Sequence, residues 1–339
     1  ETPICPKTET MVTVGACESL YLAMQAFVDP GDEVILIEPF FDFYRAQIEL
    51  AGGVVKSVPL RNKHLGATDP AHVKTSADFE VDWKELEAAI SDRTKMCIVN
   101  TPHNPTGKVF SLDELERFAA LAKKHDFLVI SDEVYEWMIF DTDRNQHHRM
   151  ATLDDMWQRT LTIGSGGKTF SVTGWKIGWT IADAKLIKAM WTIHQYVAYT
   201  VCTPLQEAVA VSFEKAATNG YFEEYRQSLE VKRDRLAAMI REAGLDPIIP
   251  QGSYFMMIDT SAITLPEEDK DESRPRDFAV AKYLTRKAGV LGIPPSAFYS
   301  EPNKTLADNL LRVCFCKTDD VLDAAGKNLK EKLDLSSKQ

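Results

Sequence analysis

Apolar residues along this chain fall into two rhythms. Over roughly the first half, short continuous apolar runs end in turn-forming residues and alternate with amphipathic stretches. Residues 17–28 read as a helix stopped by Asp29-Pro30-Gly31, followed by a strand at 34–37 and a second at 54–58 after Gly52-Gly53. A helix is expected at 82–90, a strand at 96–100, and a helix at 111–124 opened by the Ser111/Glu114 capping-box spacing. Strands follow at 127–130, ending in Ser131-Asp132, and at 160–163; another is expected at 12–14. Unbroken apolar runs, without clean alternation, indicate strands covered on both faces. Their spacing around helices indicates a mainly parallel α/β sheet. Ligands in such sheets gather beyond the carboxyl ends of the strands, where Asn100, Asp132 and the 164–168 loop fall.

The second half is dominated by long helical periods at 183–199, 204–218 and 221–243. Strands at 254–258 and 311–316, a helix at 277–288 and a terminal helix complete it. This pattern predicts a large domain over 1–215 and a smaller α/β domain over 216–339 that includes the linker helix. The acidic run within 261–276 is expected to be a solvated loop.

Composition narrows the function. A formal net charge of -11 argues against a broad nucleic-acid surface, which needs clustered positive charge. No apolar run reaches the roughly 20 residues of a membrane span. The cysteines at 5, 17, 97, 202, 314 and 316 form no CxxC pair and are expected to be buried free thiols. Cys314 and Cys316 share one side of a strand, which suits packing. No HExxH occurs and the seven histidines show no ligand spacing, so no metal is expected. The sequon Asn303-Lys304-Thr305 is expected to be accidental. The cytoplasm is the expected compartment, with the mitochondrion as the alternative.

Four segments carry candidate chemistry. Asn100-Thr101-Pro102-His103-Asn104-Pro105-Thr106-Gly107 is a turn-rich strand exit whose Asn104 amide can donate to a phenolate oxygen. Ser131-Asp132-Glu133-Val134-Tyr135 places an acid where it can cap a helix or pair with a protonated pyridine nitrogen, and Tyr135 adds a phenol. Gly164-Ser165-Gly166-Gly167-Lys168-Thr169 superficially suggests a nucleotide P-loop, but GxxxxGK[ST] requires glycine where Thr162 stands. Lys168 in a tight loop instead suits a Schiff base, with Ser165 and Lys176 able to address a phosphate. Arg312, within the apolar run 310–315, either meets an acidic side chain or clamps a substrate carboxylate.

Taken in order, these segments resemble the fold-type I, class I/II aminotransferases that use pyridoxal 5′-phosphate (PLP). Val12–Ala16, Asp29–Glu33, Glu38–Asp42, 100–107, Ser131–Trp137 and Gly164–Trp179 look like the kynurenine aminotransferases, also called glutamine transaminase K and cysteine-conjugate β-lyase. The likeness runs from about residue 11 to 333. It implies a mainly parallel seven-stranded sheet between helices and a homodimer. Lys168 would hold PLP as an aldimine, Asp132 would face the pyridine nitrogen, and Asn104 and Tyr135 the phenolic oxygen. Ala16 and Cys17 would give backbone amides to the phosphate at a helix start, with Ser165 and Lys176 completing the cup. Phe41 would stack on the ring. Arg312 would take the substrate carboxylate with help from Asn100, and Tyr199 would line the side-chain pocket. The implied reaction is transamination of an aromatic or glutamine-like L-amino acid such as kynurenine with a 2-oxoacid, in two half-reactions. β-Elimination of cysteine S-conjugates and a non-catalytic shortened form are the alternatives. Two departures stand out. Cys17 occupies a place where the family commonly has tyrosine, and the family carries a substantial segment before the first strand matched here.

Overall fold

The computed structural model describes residues 3–66 and 72–333. Its first part runs β1 (Thr10–Val14), α1 (Gly15–Phe27), β2 (Glu33–Glu38), α2 (Phe43–Leu50), β3 (Val54–Asn62), β4 (Phe79–Val81), α3 (Trp83–Ala89), β5 (Thr94–Asn100), α4 (Leu112–His125), β6 (Leu128–Asp132), β7 (Thr160–Ser165), α5 (Gly166–Thr169) and β8 (Ile177–Ile181). These strands make one sheet in the order β1-β8-β7-β6-β5-β2-β3-β4. The expected seven strands become eight, because the three-residue β4 pairs antiparallel with β3 at the edge. The centre, β3-β2-β5-β6-β7, is parallel as expected, while β8 and β1 add antiparallel pairs at the other end.

The unbroken apolar runs have a direct cause. Val34, Leu36, Ile98 and Ile130 enter one hydrophobic core, whereas Ile35, Ile37, Cys97, Val99 and Val129 enter another. Successive side chains point to opposite faces, so a strand sandwiched between two helical layers must be apolar at every position. Helix ends follow local chemistry. At α4, Ser111 accepts from the Glu114 amide and Glu114 returns a bond to the Ser111 amide. Its last turn carries Lys123, Lys124 and His125, which complement the helix dipole.

The second part comprises α6 (Ala184–Val197), α7 (Thr203–Ala216), α8 (Tyr221–Glu242), β9 (Asp246–Ile248), β10 (Phe255–Asp259), α9 (Arg276–Ala288), β11 (Leu310–Cys314) and α10 (Asp319–Lys332). Strands β11-β10-β9 form a small antiparallel sheet against which α8 and α9 pack, with α10 lying on those two helices. The acidic insertion is less free than its composition suggests. Buried Asp269 pairs with Arg286, and Arg276 donates to the carbonyls of Thr260, Ile263 and Asp308. Among the described residues, no helix is long and apolar enough to cross a membrane. The expectation of buried thiols fails for Cys5, Cys202 and Cys316, which are exposed; of the six, only Cys97 is fully buried.

Candidate active site

Parallel strands deliver the candidate residues to one rim. Asn100 ends β5 opposite Asp132, which ends β6, and Ser165 ends β7 just before the single helical turn that carries Lys168. These residues line a cavity of about 320 Å³ together with Ala16, Cys17, Phe41, Asn104, Tyr135, Lys176 and Arg312. Tyr199 is not brought there. It is 79% exposed at φ 65°, on the loop after α6, and the side-chain pocket expected of it lacks it in this chain.

Asp132 is fully enclosed and its carboxyl is pushed up to about 6. Burial is the main cause, opposed by the Tyr44 hydroxyl, the Val134 amide and the Lys168 charge. The Tyr44 hydroxyl donates to Asp132 Oδ2 at 2.6 Å, and burial beside that carboxylate keeps the phenol protonated. A carboxylate held this deep on one hydroxyl and one amide is suited to a cationic partner at the cavity. The protonated nitrogen of a pyridine ring is such a partner.

Asn100 has both ends of its amide engaged. Nδ2 donates to the Asp132 carbonyl at 2.9 Å and Oδ1 accepts from the Asn104 backbone amide at 2.7 Å. It therefore ties two strand exits together, a positioning task at the lining of the same cavity. Asn104 Oδ1 in turn accepts from Arg312 Nη1 at 2.8 Å. The Arg312 guanidinium lies 4.1 Å from the Phe255 ring centre and 4.9 Å from that of Phe298. Two aromatic faces thus hold the fork, and it bonds an amide oxygen where the structural alternative required a carboxylate.

Lys168 Nζ donates to the Tyr254 hydroxyl at 2.7 Å. Buried Tyr135 sits edge-on to Tyr254, with ring centres 5.3 Å apart. Tyr44, Tyr254 and Phe255 are site residues that the sequence reasoning missed. Tyr254 is 86 positions from Lys168 and Tyr44 is 88 from Asp132, so no local spacing signals either contact.

The opposite end of the cavity is cationic. The first turn of α1, Gly15-Ala16-Cys17, meets Ser165 and Lys176 there, so free helix amides and one ammonium converge. Burial raises the Cys17 thiol, with Lys176 opposing it. PLP fits this set: a lysine amine, a deep carboxylate, and a helix-start cup at the far end. Lys168, Asp132 and the cup of Ala16, Cys17, Ser165 and Lys176 would hold it, and Asn104, Tyr135 and Phe41 would flank its ring. PLP there would supply a carbonyl for Lys168 and an electron-poor ring.

Gly178 controls how closely β8 approaches the cup. A Cβ at this position would lie 2.4 Å from the Ala16 amide nitrogen and 2.5 Å from the Gly15 carbonyl carbon. Gly178→Ala should push the α1 start outward and weaken PLP binding by roughly tenfold or more, the equivalent of about 1.4 kcal/mol. Titration of the apoprotein with PLP, followed by visible absorbance, measures this; unchanged affinity would refute the packing argument.

Known proteins give the same answer as the geometry. The family model for aminotransferase class I and II matches residues 1–329. A kynurenine–oxoglutarate transaminase of Dictyostelium discoideum is 48% identical over 95% of this chain and 76% of its own length. Kynurenine–oxoglutarate transaminase 3 of Homo sapiens is 44% identical over 95% of this chain and 71% of its own. The crystal structure of Bna3p from Saccharomyces cerevisiae superposes with a TM-score of 0.92 at 38% identity, covering 97% of this chain and 77% of that one. A lysine, a buried aspartate and an arginine fork around one cavity, in a sheet of this order, mark the chain as a member of the class I and II aminotransferases, enzymes that work through PLP.

Proposed function

We propose that this enzyme transfers the amino group of kynurenine, or of an L-amino acid with a similar aromatic side chain, to 2-oxoglutarate. The observation that carries the reading is the Arg312 fork, held between Phe255 and Phe298 at the rim that also presents Lys168. A carboxylate bound there sets an α-amino acid near the lysine, and the apolar walls formed by Phe41, Phe43 and Phe255 favour an aromatic side chain. The names of the Dictyostelium and human relatives point to the same substrate pair.

When bound, PLP supplies an electrophilic carbon and a ring that accepts the charge left when the Cα–H bond breaks. The remaining work belongs to the chain. Lys168 Nζ, oriented by Tyr254, takes the proton from Cα and returns it. Asp132 stabilises positive charge at the depth of the cavity. Arg312 spends one donor on Asn104 and keeps the others for the substrate carboxylate. Asn100 keeps Asn104 and Asp132 in register.

Glutamate formation from kynurenine and 2-oxoglutarate should exceed that from alanine or aspartate at equal concentration; a reversed order would overturn the substrate assignment. Arg312→Lys loses the planar fork, and KM for the amino acid should rise roughly tenfold to a hundredfold with a smaller change in kcat. Steady-state kinetics against both substrates decide it, since an unaltered KM would remove Arg312 from carboxylate binding.

The exposed aromatics of α6 and of the loop that follows it support a homodimer. Trp191 is 57% exposed, Tyr196 81% and Tyr199 79%, beside the outward Val12 and Val14 of β1. Such a patch on a water-soluble surface suits a second copy of the chain. Light scattering should give twice the chain mass, and Tyr196→Asp with Trp191→Asp should halve it. A monomer in the unsubstituted protein would refute the proposal.

A further inference from the structure

Two cysteines stand side by side in a place the transamination reading does not use. Cys314 ends β11 and Cys316 follows it, with their Sγ atoms 3.0 Å apart and both thiols free. Phe315 between them is fully buried and its amide donates to the Tyr254 carbonyl at 3.1 Å. That anchor turns both cysteines to the same side. The Lys317 amide then bonds the Phe315 carbonyl at 2.8 Å, so the chain bends at Cys316 itself. Proximity is therefore imposed by the backbone, and closing a bond requires the two sulfurs to approach to about 2 Å with a Cβ–S–S–Cβ dihedral of about ±90°.

The two thiols differ in the way exchange chemistry requires. Cys316 is exposed, whereas Cys314 is half-buried and lines the apolar hollow between β11 and α10. The hydrogen bond shared with Cys314, together with the positive charge of Lys317 and Lys168, pulls the Cys316 thiol down to about 7. The same contact pushes the Cys314 thiol up. An accessible thiol that ionises near neutrality, with a second thiol touching it, is the arrangement of an attacking and a resolving cysteine.

We propose that Cys314 and Cys316 form a reversible dithiol–disulfide site that is oxidised by small disulfides such as oxidised glutathione. In the first step the Cys316 thiolate attacks one sulfur of the small disulfide. The S–S bond breaks, and the departing sulfur takes up a proton and leaves as one thiol. Cys314 then gives up its proton and attacks the Cys316 sulfur of the mixed disulfide, expelling the second small thiol, which is protonated in turn. The two protein thiols are oxidised and lose two hydrogens, and the small disulfide is reduced to two thiols. The site lies two residues beyond Arg312 on the same strand, yet it depends on neither the PLP reaction nor the substrate assignment.

The test uses the full-chain holoenzyme incubated with oxidised glutathione, acid-quenched, alkylated and read by intact and peptide mass spectrometry. The expected product has lost two hydrogens, resists alkylation at Cys314 and Cys316, and regains both thiols with dithiothreitol. Cys316→Ser, at an exposed position, should abolish the two-hydrogen loss. Cys314→Ser should instead stall with one glutathione on Cys316. Glutathione retained on Cys316 in the unsubstituted protein, or full alkylation of both thiols after exposure, overturns the proposal. So does a two-hydrogen loss that persists in Cys316→Ser.

Discussion

Lys168→Ala should lower turnover by at least about a thousandfold, because one substitution removes both the cofactor's anchoring amine and the group that moves the Cα proton. The geometry makes the amine hard to replace. Its hydrogen-bond partner is the Tyr254 hydroxyl at 2.7 Å, and a phenol lacks the reach and basicity to act in its place. The fold should survive. Lys168 is only half-buried, and the turn that carries it is held by the Phe170 amide bonding the Gly166 carbonyl. The measurement is glutamate formation under single-turnover and steady-state conditions, with circular dichroism as a check on folding. Appreciable turnover in a folded Lys168→Ala protein would sink the assignment.

The second large effect separates activity from stability. Asp132→Asn should cost roughly a hundredfold or more in kcat, since a neutral amide no longer stabilises a cation at the base of the cavity. In PLP-free protein the same change should be stabilising at neutral pH. The Asp132 carboxyl is raised to about 6 in the fold, against about 3.9 in an unfolded chain. Between those values the folded state binds the proton more tightly, so stability falls as pH rises through the window. Above it the whole penalty is present, about 3 kcal/mol at most. Asparagine carries no such slope. Urea unfolding of the two PLP-free proteins should therefore diverge toward pH 7.5, with Asp132→Asn the more stable, and converge near pH 4. A difference that does not vary with pH would show that the burial of charge is not the cause.

Much of this site was legible because parallel sheets write their active ends into the sequence. β5 and β6 are runs of apolar residues that stop at polar ones, so Asn100 and Asp132 announce themselves at the rim, and Ser165 closes the neighbouring β7. Lys168 and Arg312 were legible as charges in settings where a charge needs a reason. What escaped was whatever tertiary folding alone brings together. Tyr44 lies in α2, an eight-residue helix whose composition gives little signal, and Tyr254 precedes a strand from the other sheet. The short strands β4 and β9 exist through pairing with β3 and β10, and three residues are too few to show a period. Tyr199 was placed by resemblance alone, and the bend after α6 turns it outward. Cys316 read as a packing residue because strand alternation was carried two residues past the point where β11 ends.

The double engagement of Asn100 has a consequence for how such an enzyme can diverge. Since one amide fastens the exits of β5 and β6, and Asn104 passes the restraint on to Arg312, an insertion in either loop would shift several contacts at once. Neutral drift is thereby closed off on that side of the cavity. The Phe43 ring enters no such chain of hydrogen bonds and stacks on Phe41, which in turn meets Tyr44 edge-on. New substrate preferences should accumulate there, by exchange of side chains one at a time, while the fastened rim is inherited whole.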